Sequence, residues 1–109
     1  MDAESPLLAF TTCPDAESAR RIARSLVESG VAACVNVLPP MESVYRWKGN
    51  VEEASERLLI MKVSRGNYDG LEQRIRELHP YELPEIVAIS IDAGLPEYLA
   101  WIVGPGRTP

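Results

Sequence analysis

The segment His79-Pro80-Tyr81-Glu82-Leu83-Pro84-Glu85 carries the only histidine of this 109-residue chain, with carboxylates close by. Imidazole is the commonest metal ligand and titrates near neutrality, so metal or proton chemistry is sought here first. Each proline disfavours helix at the residue before it, which makes His79 and Leu83 extended and ends a preceding helix at His79. The plain alternative is a turn stiffened by two prolines, with the histidine closing a helix C-terminus.

Cys13 is the second reactive candidate. It precedes Pro14-Asp15, and Asp15 has the chemistry of a helix N-cap, so the positive end of a helix dipole there favours thiolate. Thiolate, imidazole and carboxylate together suit a borderline or soft cation such as copper or zinc. A lone cysteine is also commonly a small buried hydrophobe, and no CxxC, HxH or HExxH pair strengthens the metal reading. Cys34 reads as core and falls at the opposite rim from Cys13, too far for a disulfide. Catalytic patterns are missing: there is no nucleophile elbow, P-loop or GxGxxG, and Glu52, Glu53 and Glu56 read as a solvated strand face.

The length fits one domain, residues 1–109, and the 25% charged and 46% hydrophobic fractions are those of a globular protein. A net charge of -5 without a basic run makes nucleic acid and anionic membrane poor partners. The acidic start lacks the pattern of a secretory leader and no apolar run reaches the length of a membrane span. Two cysteines are too few for a disulfide scaffold, and the expected compartment is the cytoplasm.

The elements that must position these residues follow from periodicity. Leu7-Leu8-Ala9-Phe10-Thr11-Thr12 reads as a strand. Ala19, Ile22, Ala23, Leu26 and Val27 recur at helical spacing behind Asp15, and Gly30 supplies a left-handed stop. Cys34 to Leu38 begins a second strand, in which Pro39-Pro40 requires an edge or a bulge. Ser43 to Trp47 resumes it, Lys48-Gly49-Asn50 turns the chain, and Leu58-Leu59-Ile60-Met61 centres the return strand. Residues 51–57 are polar and should project beyond the core. Asn67 caps a second helix with Tyr68, Leu71, Ile75 and Leu78 as its stripe. The run from Ile86 to Ile91 reads as a central or doubly covered strand. Pro96 to Val103 is a short helix, and the tail from Gly104 should fray.

The order βαββαβ plus a terminal helix is an α+β, ferredoxin-like split βαβ plan, with the first strand between the third and fourth. That plan brings Cys13, Asp15, His79, Tyr81 and Glu82 to one rim. The long hairpin carries Tyr45 and Trp47 beyond the core, where exposed aromatic strands would aggregate, so a second subunit is expected to cover it. Tyr98 and Trp101 could cover a neighbour or their own sheet.

Six ordered segments carry a family resemblance: Thr11-Thr12-Cys13-Pro14-Asp15, Val31-Ala32-Ala33-Cys34-Val35-Asn36, Ser43-Val44-Tyr45-Arg46-Trp47-Lys48-Gly49, Ile60-Met61-Lys62, the histidine segment, and Tyr98-Leu99-Ala100-Trp101-Ile102. With them the chain resembles the CutA family of divalent-cation tolerance proteins. The resemblance implies a ferredoxin-like homotrimer with hairpins wrapping neighbouring subunits and a non-enzymatic role in tolerance of divalent metals, copper above all. It places Cys13 and His79, with Glu82 beside them, at the metal, and Asn36, Trp47, Glu56, Lys62 and Tyr81 near clefts between subunits. Some copper-linked relatives have cysteine where Thr11 stands and a His-His pair where this chain has Leu78-His79, so the resemblance implies weak binding. The second expectation is a small-molecule sensor with ligand sites in the inter-subunit clefts.

Overall fold

The computed structural model describes residues 2–104, so the expected frayed tail lies, apart from Gly104, outside the described residues. The chain runs β1 (Pro6–Cys13), α1 (Ala16–Glu28), β2 (Cys34–Trp47), β3 (Asn50–Ser64), a 3-10 turn (Arg65–Asn67), α2 (Tyr68–Leu78), β4 (Val87–Ser90) and α3 (Pro96–Val103). The strands form one sheet in the order β2-β3-β1-β4, with every neighbouring pair antiparallel. This is the expected split βαβ plan with a terminal helix.

Helix α1 starts where Asp15 Oδ1 accepts the Ser18 backbone N–H at 2.7 Å, and this bond holds the Asp15 carboxyl below its ordinary range. Ala19, Ile22, Ala23 and Leu26 are buried as their spacing predicts. Val27, assigned to the same stripe, is exposed, because one residue past Leu26 rotates about 100° around the axis. Gly30 follows with a φ of 79°, a conformation a side chain would strain.

Alternation along the strands divides the sheet into two faces. Leu7, Ala9 and Cys13 of β1 and Leu59, Met61 and Val63 of β3 pack with Ile22 and Leu26 of α1 and Leu71 and Ile75 of α2 in one core. Leu8 and Phe10 pair with Lys62 and Ile60 on the other face. Helix α3 lies over that face, with the Tyr98 ring centroid 5.9 Å from Lys62 Nζ and Ile102 buried. The Tyr98 and Trp101 rings stack at 5.5 Å.

The prolines of β2 obey both of their constraints. β2 is an edge strand, and its register shifts between Val37 and Pro40. The hairpin closes through Lys48 and Gly49 at φ 51° and 84°, the positive pair that matches strand twist. Strands of 14 and 15 residues outrun the core and give the molecule a longest extent of 44 Å.

Two expectations are corrected. Asn67 makes no capping bond: the 3-10 turn already gives it helical backbone angles, so its side chain cannot lie over the free N–H groups. β4 is an edge strand and not a central or doubly covered one, with Val87 50% and Ile89 55% exposed. Only Ala88 among its inner residues meets the core, and in the single chain nothing covers the outward pair.

Candidate functional site

Topology brings Cys13 and His79 together across 66 residues, with Sγ 4.0 Å from Nε2. Helix α2 ends at His79, whose ψ of 136° before Pro80 turns the chain into the connector and whose N–H still bonds the Ile75 carbonyl at 2.8 Å. The buried ring then spans two backbone groups. Nε2 lies 2.7 Å from the Thr12 carbonyl oxygen, an acceptor, so Nε2 carries the proton and donates. Nδ1 accepts the Tyr81 backbone N–H at 3.1 Å. The imidazole thus laces the end of β1 to the start of the connector with both nitrogens engaged.

The Cys13 thiol behaves differently from the expectation at a helix N-terminus. It is fully buried, and burial, reinforced by the Asp15 and Glu56 carboxylates, pushes its pKa up to about 11. Desolvation outweighs the helix dipole, so the thiol is protonated at neutral pH. Glu82 is exposed, and among the described residues no group of three or more His, Cys, Asp or Glu side chains could hold a metal ion. As placed, Cys13, His79 and Glu82 do not fit a resident ion: one ligand is protonated, one has no free lone pair, and the third is not gathered with them. Thr11, where copper-linked relatives have cysteine, is buried with an unpartnered hydroxyl.

Beside this knot lies a cavity of about 770 Å³ between the inner half of the hairpin and the connector, lined among others by Tyr45, Trp47, Glu56, Tyr81, Glu82 and Glu85. Tyr81 Oη donates to Glu56 Oε2 at 2.7 Å, and the tilted Tyr81 ring lies 4.9 Å from that of His79. Burial and the adjacent Glu56 carboxylate raise the Tyr81 phenol pKa. Glu56, read from sequence as part of a solvated face, is only 7% exposed: its side chain points back to the connector while Glu52 and Glu53 remain in water.

Three of the five residues placed near a cleft, Trp47, Glu56 and Tyr81, therefore line one cavity. Asn36 and Lys62 sit elsewhere, paired to each other beside α3, with Lys62 Nζ donating to Asn36 Oδ1 at 2.6 Å. The ammonium also reaches Cys34 Sγ at 3.8 Å, so Cys34 is a half-buried face residue and not the core residue expected.

The family model described as "CutA1 divalent ion tolerance protein" matches residues 7–104. The chain belongs to the CutA1 family. It is 48% identical over 91 residues to the divalent-cation tolerance protein CutA of Thermus thermophilus, covering 84% of this chain and 88% of that one. It is 44% identical over 94 residues to mouse protein CutA, covering 86% of this chain but 53% of the mouse protein, so it spans about half that relative's length. The structure of the periplasmic divalent cation tolerance protein CutA from Archaeoglobus fulgidus superimposes with a TM-score of 0.85 at 37% identity, over 89% of this chain and 94% of that one. No helix among the described residues of this CutA1 chain is long and apolar enough to cross a membrane.

Sequence reasoning missed the cavity as a unit. Its signal was present in the period-two spacing of Met41, Ser43, Tyr45 and Trp47, which places these four on one strand face. What the sequence did not reveal is that the connector folds over that face.

Proposed function

We propose that this chain serves divalent-cation tolerance as a non-enzymatic homotrimer that takes up copper or a similar divalent cation weakly. The observation that carries the reading is the Cys13–His79 contact, which gathers a soft and a borderline donor from distant segments yet leaves neither free. A cation engaging this pair, with Glu82 from the connector, must displace the Thr12 or Tyr81 bond and the thiol proton, and that competition keeps affinity low. Isothermal titration with Cu(II) and Zn(II) is expected to give dissociation constants no tighter than about micromolar, weakened several-fold by Cys13→Ser and by Glu82→Gln. Isotherms unchanged in both variants would sink this site. The cytoplasm is the proposed compartment, on the acidic composition and the two unpaired cysteines.

Trimer formation is supported by the surface left open. Val87, Ile89, Leu95, Tyr98 and Trp101 are exposed on and beside the face that α3 only partly covers, and Tyr45 and Trp47 are exposed on the hairpin. Apolar surface of that extent calls for a partner, and a second copy supplies one without further components. Sedimentation equilibrium is expected to return three times the chain mass, and Ile89→Glu to shift the protein to smaller species; a monomeric parent chain rules the assembly out.

A second reading, a small-molecule sensor, is favoured by one specific observation, the cavity walled by Tyr45, Trp47 and Tyr81 around the buried Glu56. A site of this size, aromatic with few polar groups, has the character of a ligand pocket.

A further inference from the structure

We propose that the cavity between the hairpin and the connector binds a small organic ammonium compound; this rests on the small-molecule reading and names its ligand class. Four observations lead there. Three aromatic side chains, Tyr45, Trp47 and Tyr81, line the cavity, and aromatic faces attract diffuse cations. Every charged side chain lining it is a carboxylate, namely Glu56, Glu82 and Glu85, with no lysine, arginine or histidine among the lining residues. Glu56, only 7% exposed, receives one hydrogen bond, from Tyr81 to Oε2, and its Oε1 has no bonded partner among the described residues. A buried carboxylate with an open oxygen calls for a donor or a positive charge from outside. Finally, the Trp47 ring already attracts a cation: Lys48 Nζ, on the hairpin turn outside the cavity, lies 5.9 Å from its centroid.

The same observations select an organic cation over a bare metal ion. A hard divalent ion requires about six converging oxygen ligands, whereas no three His, Cys, Asp or Glu side chains among the described residues gather closely enough to hold a metal. An alkylammonium spreads its charge over apolar groups, which the rings and Met41, Leu58 and Leu83 accommodate, while Glu56 neutralises it. A cavity of about 770 Å³ is ample for such a compound.

Choline is the probe, and 3,3-dimethyl-1-butanol its uncharged isostere. With the intact chain, titration calorimetry and tryptophan fluorescence are expected to show saturable choline binding, with the isostere at least about tenfold weaker. Glu56→Gln, which keeps an acceptor for Tyr81, and Trp47→Ala, at an exposed position, are each expected to weaken choline about tenfold with little change in melting temperature. Equal affinity for choline and its isostere overturns the ammonium assignment and leaves the ligand-pocket reading standing. Failure of choline alongside melting-temperature shifts from neutral metabolites does the same, and no response to any compound ends both readings. Phosphatidylcholine vesicles present the same headgroup on a membrane. They are expected not to co-sediment the protein, and co-sedimentation without a response to free choline overturns a soluble ligand.

Discussion

Replacing His79 by alanine is expected to destabilise the fold by about 3 kcal/mol, from two lost hydrogen bonds and the cavity left behind. The ring ties the Thr12 carbonyl at 2.7 Å to the Tyr81 N–H at 3.1 Å, and the substitution strands both groups in a site where His79 is only 8% exposed. For a chain of this size that corresponds to a fall in melting temperature of more than about 10 °C, provided unfolding is reversible. His79→Gln separates the contributions, because its side-chain amide nitrogen can still donate to the Thr12 carbonyl while the acceptor for Tyr81 is lost. It should recover roughly half of the loss by denaturant titration. If His79→Ala unfolds at the same denaturant concentration as the parent, the lacing role is wrong and the histidine is held for its ligand chemistry alone.

The second large effect is expected in alkali. Cys13 titrates ordinarily near 9.0 and is pushed up to about 11 in the fold, chiefly by burial. The folded state therefore holds the proton more tightly than the unfolded state. The stability linked to this group is fully present below about pH 9 and is lost as pH rises through about 11. The rise from 9.0 to about 11 corresponds to roughly 2–3 kcal/mol, and the raised Tyr81 phenol adds a loss of the same sign. Denaturant unfolding between pH 8 and 11 should show this decline in the parent chain, a shallower one in Cys13→Ala, and the shallowest when Tyr81→Phe is added. Parallel curves in all three would refute the buried-proton account. Thiol titration gives an independent check: Ellman's reagent should reach half-buried Cys34 in the native protein and Cys13 only on unfolding.

Element identity was legible in the sequence because it rests on local chemistry. Asp15 caps, Gly30 stops, Pro39-Pro40 demands an edge with a bulge, and Lys48-Gly49 turns, each decided within a few residues. The strand order followed from applying general connection rules to those elements. The failures were all non-local. Asn67 looked like a cap until the chain before it wound into a 3-10 turn, and the apolar run through Val87 and Ile89 looked central although its outer face meets nothing in the single chain. Glu56 looked solvated because burial depends on the connector that folds back over the hairpin.

The histidine segment shows the division most clearly. Sequence alone determined that His79 ends a helix, stands extended before Pro80 and belongs to a recognisable family signature, since proline geometry acts on its immediate neighbour. Sequence also brought Cys13 to the same rim, because topology follows from element order. Only the tertiary structure decided what the two side chains can do there. Desolvation overrode the helix dipole and kept the thiol protonated, and two backbone groups from different segments took both imidazole nitrogens. Burial and hydrogen-bond partners are properties of the assembled surroundings, so residue type and spacing could nominate a site but not its state.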